Sequence, residues 1–408
     1  MKNFCSLFLS AVFLFFNLAS GARADALDNW TTNQITTNQY GCHHIVYGNG
    51  IFVMVTHGSD YGQFYTSVDG RNWKRQYSEP NSWNVTLNYS GGRFAGACQG
   101  LGSGVVDVSA DGTNWTTTFF QNNGLPAFDA KAAIYGNGLY VAVGSTNGVG
   151  SIFTSPDGVT WTFQSAGSIR NGPGGPIRSV AYGAGRFVAV GTDGLEYSSL
   201  TGTGTWSRTS YAGNGVISFV NGLFISPLNN KTNLVSTDGV NWSSLATGLT
   251  NQLGFVTYGN GVFLSQCGIA RPGSYLATSA DGTNWFQYPQ LLPNACAIFD
   301  TSDFDVSVAT DGKRLLTCGS VLTPGFTYNG FVYVSDPLVG MRITNSPSRK
   351  VALSGLVGRN YQIQSTDALG AGSNWRTNAT LQLTNTPYLW TDATATNSAR
   401  FYRGVLLP

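Results

Sequence analysis

The feature that most constrains this chain is a two-hairpin unit that recurs through most of its length. Its clearest copy is Tyr135-Gly-Asn-Gly-Leu-Tyr-Val-Ala-Val-Gly144, followed by Thr154-Ser-Pro-Asp-Gly-Val-Thr-Trp161. The first half predicts a β-hairpin, because Asn and Gly tolerate the positive φ that a type I′ turn requires. The second half predicts a hairpin on an Asp-Gly turn that ends in a packed Trp. Each unit therefore indicates one four-stranded antiparallel sheet.

The hairpin turn occurs seven times, 37 to 51 residues apart, a spacing typical of propellers and solenoids. The turns are Asn49-Gly50, Gly91-Gly92, Asn137-Gly138, Ala184-Gly185, Asn221-Gly222, Asn260-Gly261 and Asp311-Gly312. The seventh unit, which ends at Asp336, has no Trp after its third strand. Asp28-Asn-Trp-Thr-Thr32 closely matches Thr113-Asn-Trp-Thr-Thr117, so the N-terminus can supply the missing outer strand. We predict an all-β fold: a seven-bladed β-propeller over residues 25–337, closed by an N-terminal strand that removes exposed sheet edges.

Residues 1–24 have the composition of a secretory signal peptide. Lys2 precedes an apolar run from Phe4 to Leu18, and Ala22-Arg23-Ala24 is a small-x-small cleavage pattern. We expect a protein that is secreted, either outside the cell or in the periplasm or at the outer surface of a bacterium. No other stretch approaches the ~20 apolar residues that a membrane-spanning helix needs.

Charge excludes some classes of partner. Only 10% of the residues are charged, against about 25% in typical domains. Without Lys2 and Arg23, basic and acidic residues are equal in number. The chain has no polybasic region for nucleic acid, and no motif calls for a cofactor. We expect a monomer whose partner is a glycan or a surface protein.

Five copies of Ser-x-Asp-Gly-x-x-Trp carry the second hairpin. In each copy, the Asp carboxylate can accept hydrogen bonds from backbone N–H groups of its own turn, with the Ser hydroxyl assisting. These structural aspartates are Asp69, Asp111, Asp157, Asp238 and Asp281. The fourth unit degenerates to Gly202-Thr-Gly-Thr-Trp206.

The five copies resemble the repeat of the Asp-box (bacterial neuraminidase repeat) propellers, a family that includes sialidases and many non-enzymatic secreted proteins. The resemblance covers about residues 28–336, although the residue that usually separates Asp from Gly is missing in all five copies. It implies a structural role for the five aspartates, on the face away from the substrate. A sialidase also needs an arginine cluster, a Tyr activated by a Glu, and an acidic proton donor, but the only glutamates are Glu79 and Glu196.

The function that we predict is therefore a secreted, non-catalytic propeller that binds carbohydrate or a cell-surface partner. The alternative is a glycan-active hydrolase, sialidase-like, or a lyase on the same scaffold. A third hypothesis is an adhesion scaffold that its C-terminal module holds to the cell.

Residues 341–408 predict a small β-sandwich of about six strands. Gly355 to Ser365, Trp375 and Arg400-Phe-Tyr-Arg403 resemble C-terminal modules of secreted bacterial proteins, often of verrucomicrobial type. The segment holds seven basic residues against Asp367 and Asp392. This excess indicates either attachment to an anionic surface or a solvated face.

Candidate ligand residues lie in the loops at the predicted mouth of the central channel. Aromatic faces stack on sugar rings, and Arg can hold a carboxylate. The predicted ligand patch is Tyr61, Tyr77, Trp83, Arg170 and Arg271. Trp83 is its strongest member, because it lies outside the Trp position of the repeat.

Cysteines and histidines offer two weaker hypotheses. The disulfide candidates are Cys42, Cys98, Cys267, Cys296 and Cys318. We expect Cys296 to pair with Cys318 or Cys267, and Cys42 with a neighbouring blade; buried thiols are the alternative. Pairing around the first turn places His57 opposite Cys42, next to His43, so His43 and His57 are weak metal candidates. No motif supports them, and we expect bystander histidines.

Overall fold

The computed structural model describes residues 30–36, 40–58, 61–80, 82–100, 104–120, 127–164, 175–191, 194–204, 206–210, 213, 215–229, 231–259, 261–267, 275–291, 307–322, 328–335, 339–344, 350–356, 359–367, 374–384, 388–393 and 400–407. Every regular element in these residues is a β-strand. The predicted signal peptide, residues 1–24, lies outside them. Within the described residues, no helix has the length and hydropathy that a membrane crossing requires.

Seven four-stranded antiparallel sheets follow one another along the described chain. Sheet 1 contains β2 (Tyr40–Gly48), β3 (Ile51–Gly58), β4 (Tyr61–Ser67) and β5 (Lys74–Pro80). Sheet 2 contains β6 (Ser82–Ser90), β7 (Arg93–Gly100), β8 (Gly104–Ser109) and β9 (Trp115–Phe119). Sheet 3 contains β10 (Phe128–Gly136), β11 (Leu139–Thr146), β12 (Val149–Ser155) and β13 (Thr162–Gln164). Sheet 4 contains β14 (Ile177–Gly183), β15 (Arg186–Gly191), β16 (Leu195–Ser199) and β17 (Ser207–Ser210).

The last three sheets have the same strand order. Sheet 5 contains β18 (Ser218–Val220), β19 (Leu223–Asn229), β20 (Thr232–Ser236) and β21 (Ser243–Ala246). Sheet 6 contains β22 (Leu253–Gly259), β23 (Val262–Cys267), β24 (Tyr275–Ser279) and β25 (Trp285–Leu291). Sheet 7 contains β26 (Val308–Thr310), β27 (Leu315–Leu322) and β28 (Tyr328–Ser335), and its outer strand is β1 (Trp30–Thr36).

The N-terminal strand thus completes the last sheet. In the antiparallel register of β1 and β28, Trp30 lies opposite Ser335, and Thr31 lies opposite Val334. The Thr36 hydroxyl accepts a hydrogen bond from the Gly330 N–H at 3.0 Å. The strand therefore covers the edge of β28, which would otherwise present unpaired backbone groups to other chains.

The first hairpin of each sheet turns on residues with positive φ. Asn137 and Gly138 have φ values of 47° and 78°, as a type I′ turn requires. Sheet 4 places Ala184 in the same conformation, with a φ of 48°. This conformation is unfavourable for an L-residue with a Cβ.

The second hairpin is held by its own aspartate. The backbone N–H groups of Thr113 and Asn114 donate to Asp111 Oδ1, each at 2.8 Å, and Asn114 Nδ2 donates to Oδ2 at 2.7 Å. These hydrogen bonds hold the pKa of Asp111 well below its usual range, since they stabilise the carboxylate. Trp115 Nε1 donates to the Gly112 carbonyl at 3.0 Å. The paired backbone contacts recur at Asp69, Asp157, Asp238 and Asp281.

One hydrophobic cluster lies between each pair of neighbouring sheets. Each cluster combines residues of two successive sheets, and one cluster joins sheet 7 to sheet 1 through Leu316, Val332, Phe52 and Met54. A Trp from the outer part of one sheet packs into each cluster; these are Trp73, Trp115, Trp161, Trp206, Trp242, Trp285 and, for sheets 6 and 7, Trp30. β1 therefore supplies sheet 7 with the same kind of packed Trp that each other sheet obtains from its own consecutive residues.

The C-terminal residues form two three-stranded antiparallel sheets. One contains β29 (Val339–Thr344), β30 (Lys350–Gly355) and β33 (Tyr388–Thr391). The other contains β31 (Asn360–Thr366), β32 (Arg376–Gln382) and β34 (Phe401–Leu406), with β31 in the centre. Tyr361 and Ile363 belong to the same hydrophobic cluster as Leu264 of sheet 6 and Leu315 of sheet 7. This module is therefore packed against the seven-sheet body.

Candidate functional site

The first strands of all seven sheets line one central cavity of about 160 Å³. Each first strand ends at its hairpin turn, and in sheets 1 to 4 the lining residues occupy the half of the strand nearest that turn. One representative from each sheet is Val46, Asn88, Ile134, Val180, Phe219, Phe255 and Val308. None of the described lining residues is an Asp, Glu, Lys or Arg. The cavity is thus uncharged as well as central.

Several polar side chains near the cavity join the first strands of neighbouring sheets. The Ser307 hydroxyl accepts from the Ile45 N–H at 2.6 Å and donates to its carbonyl at 3.0 Å. The Val256 N–H donates to the Ser218 hydroxyl at 3.0 Å. Asn88 Nδ2 donates to a carbonyl of sheet 3, at Ala133, also at 3.0 Å. These bonds satisfy backbone groups at the inner sheet edges, which have no further strand to pair with.

A layer of aromatic rings surrounds the turn end of the channel. In six of the seven described sheets, the second-last residue of the first hairpin strand is aromatic: Tyr47, Tyr89, Tyr135, Tyr182, Phe219 and Tyr258. Tyr89 lies so close to Gly48 of the preceding sheet that a Cβ there would come within 2.3 Å of the ring. In sheet 7, Thr310, the last residue of β26, packs against Gly259 of the preceding sheet instead. The repeat therefore needs a glycine before the turn, so that the aromatic ring of the next sheet can pack there. This requirement is additional to the glycine within the turn.

His44 is the only histidine among the described cavity residues. It is 3% exposed and meets the Phe255 ring edge-on, with the ring centroids 5.4 Å apart. Burial lowers the pKa of His44 to about 4, although the Leu87 backbone acts weakly in the opposite direction. Neither ring nitrogen makes a well-formed hydrogen bond to a described group. An imidazole whose pKa lies this far below neutral pH is a weak general base.

His44 was not predicted as a cavity residue from the sequence, although its position in the repeat indicated that it lies there. His44 lies four residues before Gly48, just as Ser179 lies four residues before Gly183. Ser179 bridges to the next sheet, because the Ile217 N–H donates to its hydroxyl at 3.3 Å. Comparing this position across sheets would have placed His44 in the channel wall.

Three of the five residues of the predicted ligand patch lie in described strands. Tyr61 begins β4, Tyr77 lies opposite Phe64 in the outer strand β5, and Trp83 lies opposite Gln99 in the inner strand β6. Inner and outer strands of a four-stranded sheet are separated by about 14 Å, so Tyr77 does not lie in a channel-lining strand. Trp83 is at the end of β6 away from the turn. Arg170 and Arg271 lie outside the described residues.

The register of sheet 1 corrects the predicted histidine placement. A β-bulge between Cys42 and His44 inserts His43, so Cys42 pairs with Thr56 and His57 pairs with Gly41. The expected pairing of His57 with Cys42 is therefore wrong by one residue. Among the described residues, no group of three or more His, Cys, Asp or Glu side chains could hold a metal ion.

The described cysteines lie inside the hydrophobic clusters between sheets. Cys42, Cys98, Cys267 and Cys318 are buried, and no disulfide joins any two of them. The predicted disulfide between Cys42 and a neighbouring blade is thus not formed with a described cysteine, and Cys296 lies outside the described residues. Burial raises the pKa of the Cys267 thiol to about 12. A thiol so far from ionisation is a packing residue rather than a nucleophile.

The two glutamates do not meet. Glu79 lies in the outer strand β5, whereas Glu196 lies in the third strand of sheet 4 and is 1% exposed. Burial raises the pKa of Glu196 to about 7, while the Trp242 indole and the Arg186 guanidinium lower it. Glu196 belongs to the packing between sheets and is not a residue of the cavity wall.

Comparisons with known proteins support this architecture. No protein-family model matches the chain, and no curated protein matches it either. Among solved structures, a chain of "Crystal Structure of Mitotic Checkpoint Complex" aligns with a TM-score of 0.52 and 10% identity, over 82% of this chain and 99% of the other. "YCF48 bound to D1 peptide" aligns with a TM-score of 0.49 and 14% identity, over 76% and 98%. "YCF48 from Cyanidioschyzon merolae" aligns with a TM-score of 0.47 and 13% identity, over 75% and 98%. At 10% identity, the alignment with a TM-score of 0.52 concerns the fold alone. Together with the repeated four-stranded antiparallel sheets, it supports a β-propeller.

Proposed function

We propose that the seven sheets are the blades of one closed ring, a seven-bladed propeller in which β1 completes blade seven. The C-terminal strands, assigned to residues 341–408 from sequence, would form a small β-sandwich. The inter-sheet clusters support this proposal, since they run from each sheet to the next and return from sheet 7 to sheet 1. We interpret the Asp-turns as the structural Asp-box, without sialidase chemistry.

Deleting residues 25–36 tests the ring. The deletion removes β1 together with Trp30, so we expect a collapse of the melting temperature or aggregation through the bare edge of β28. A synthetic peptide of residues 25–36 added to the truncated protein should restore part of the lost stability. A truncated protein that melts unchanged and elutes as a monomer would contradict closure.

We propose that the protein is a secreted, non-catalytic binding protein whose partner is a carbohydrate or a surface protein. The observation that carries this proposal is the uncharged cavity that all seven inner strands line. An uncharged wall with tyrosine and amide groups suits a neutral ligand with hydroxyl groups better than a polyanion. The low charge of the whole chain favours the same class of ligand.

A glycan-active hydrolase or lyase is less well supported. Glycoside hydrolysis generally needs two carboxyl groups that flank the scissile bond. The described cavity wall contains none, and Glu196 is buried between sheets 4 and 5. The sialidase-like alternative would therefore need carboxylates from outside the cavity wall.

A glycan array and a panel of chromogenic glycosides, run on the same preparation, separate the two functions. We expect retention of a neutral glycan without release of the chromophore. Turnover of any glycoside would favour the hydrolase, and an empty array would leave a surface protein as the partner. Fractionation of cells and medium tests secretion.

The variant Trp83→Ala tests whether the ligand binds at the mouth of the channel that lies away from the hairpin turns. Because Trp83 is in an inner strand, at the end away from the turn, its loss should weaken glycan retention without lowering the melting temperature. Phe286→Ala is the matched control, since Phe286 is exposed in the outer strand β25. Equal retention by both variants would remove Trp83 from the ligand site.

A further inference from the structure

The outer face of the C-terminal sheet formed by β32, β31 and β34 carries a row of polar side chains. Gln364 lies between Thr377 and Arg403, and Gln362 lies between Thr380 and Val405. The alternate residues of β31, Tyr361 and Ile363, are buried in the core. Because side chains alternate across a strand, the glutamines and their neighbours face outward.

Hydrogen bonds fix the orientation of this row. Arg403 Nε donates to Gln364 Oε1 at 2.8 Å, and Gln364 Nε2 donates to Gln362 Oε1 at 2.8 Å. The Thr377 hydroxyl donates to the same Gln362 oxygen at 3.2 Å. The guanidinium carbon of Arg403 lies 4.4 Å from the centre of the Trp375 ring. The guanidinium is therefore held by an amide on one side and an aromatic ring on the other.

The terminal nitrogens of Arg403 are not taken up by any described residue. The two carboxylates of the module are occupied elsewhere: Asp367 binds Arg376 at 2.6 Å and Arg400 at 3.2 Å, and Asp392 binds Arg400 at 2.9 Å. The module has seven basic residues and only these two acidic ones. The exposed, planar fork of Arg403 thus carries a positive charge that an external carboxylate can match with two parallel hydrogen bonds.

We propose that this face binds a carboxylate-bearing polysaccharide, with a uronic-acid carboxylate on the Arg403 fork. The amides of Gln362 and Gln364 would meet sugar hydroxyls. Phe401, which is 39% exposed on the same face, would contact a sugar ring together with Trp375. A phosphate could also bind the guanidinium, but the amide row and the two aromatic rings favour a ligand with hydroxyl groups and apolar ring faces. The site is on a different module from the propeller cavity and does not depend on the ligand of that cavity.

Binding of the full chain to polygalacturonate tests the site. Arg403→Gln should weaken binding about tenfold, because it removes a charge-assisted bidentate contact. Arg376→Gln makes the same change in net charge at a side chain that is 65% exposed but engaged by Asp367, and should change affinity less than about twofold. Polygalacturonate with methyl-esterified carboxyls should bind as weakly as the Arg403 variant does to the acidic polymer.

A second variant distinguishes a loss of binding from a loss of the fold. Thr380→Asp adds a negative charge at an exposed position of the same face, away from the core, and should also weaken binding while the thermal melt stays unchanged. Equal losses in both Arg variants, equal binding of the esterified polymer, or no binding to polygalacturonate would overturn the proposal. An empty neutral-glycan array combined with Arg403-dependent binding would instead leave this site standing and remove neutral carbohydrate as the ligand of the propeller.

Discussion

Sheets 3 and 4 are neighbours with the same strand order, yet they follow the repeat to different degrees. Sheet 3 has Asn137-Gly138 in its first turn, Ile152 in its third strand and Asp157 in its second turn. Sheet 4 has Ala184, Glu196 and Thr201 at the corresponding positions: a residue that resists positive φ, a buried carboxyl and a weaker turn.

Sheet 4 nevertheless packs its Trp against the preceding sheet in the same way as sheet 3 does. Trp206 Nε1 still donates to the Gly202 carbonyl, at 3.2 Å and across one extra residue, and Trp206 is buried against sheet 3. The difference teaches that packing between sheets defines the fold, while turn chemistry and individual polar residues adjust its stability. Exchanging residues between the two sheets tests that conclusion.

The largest effect should come from Ile152→Glu, which gives sheet 3 the buried carboxyl of sheet 4. Ile152 is fully buried, so an unpaired charge there should cost roughly 3–5 kcal/mol of unfolding free energy at pH 8. The loss should shrink at pH 4, where the carboxyl can be protonated. Chemical denaturation at both pH values measures it, with Ile152→Val as the conservative control. A loss below about 1 kcal/mol would mean that this position is wetter than the structure indicates.

The reverse exchange, Glu196→Ile, should stabilise the protein at alkaline pH. Since burial raises the pKa of Glu196 to about 7, the folded protein keeps a proton that the unfolded chain has already released above about pH 4.5. The unfolding free energy therefore falls as pH rises from about 4.5 to about 7, by at most ~3 kcal/mol. Glu196→Gln should remove the same pH dependence. If both variants keep the slope of the wild type between these pH values, another group causes it.

A smaller gain is expected from Ala184→Asn, which restores the turn residue of sheet 3. Ala184 has a φ of 48°, a conformation that costs an alanine about 1 kcal/mol. The variant should raise the unfolding free energy by about 0.5–1 kcal/mol. Asn137→Ala in sheet 3 should lower it by a similar amount. A loss of stability in Ala184→Asn, or a gain in Asn137→Ala, would show that turn strain does not separate the sheets.

The smallest effect should come from Thr201→Asp, which rebuilds the aspartate turn in sheet 4. Backbone N–H groups hold the pKa of Asp157 at about 2 in sheet 3, so a carboxylate adds stability above its unfolded pKa of about 4 and loses it as pH falls towards 2. We expect a rise in melting temperature on the order of 1 °C at pH 7 and none at pH 2. A rise of the same size at both pH values would point to packing rather than charge.

Much of this architecture could be predicted from particular residues. The Asn-Gly and Asp-Gly turns marked the strands, because their backbone conformations are required locally. The segment from Asp28 to Thr32 resembles a segment of a later repeat, and this similarity predicted which segment completes the last sheet. In the structure, Trp30 lies opposite Ser335. The C-terminal module was expected to contain about six strands, and the described residues contain six, β29 to β34.

Other features depended on contacts that no local pattern encodes. The bulge at His43 shifted the register of sheet 1 by one residue. Disulfides were expected between cysteines, with buried thiols as the alternative. The described cysteines are buried thiols that pack between sheets, since a thiol behaves as a small apolar group when a neighbouring sheet covers it. The stacking of Tyr89 on Gly48 joins residues of different repeats.

The sequence by itself determined the repeating sheet, because turns and strands are set by the conformational preferences of adjacent residues. It also determined that the front of the chain resembles the missing outer strand. Only the tertiary structure decided which side chains meet across sheets: an uncharged channel wall around His44 and a guanidinium held between Gln364 and Trp375. Those neighbours are far apart along the chain, and their contacts exist only after the sheets have packed.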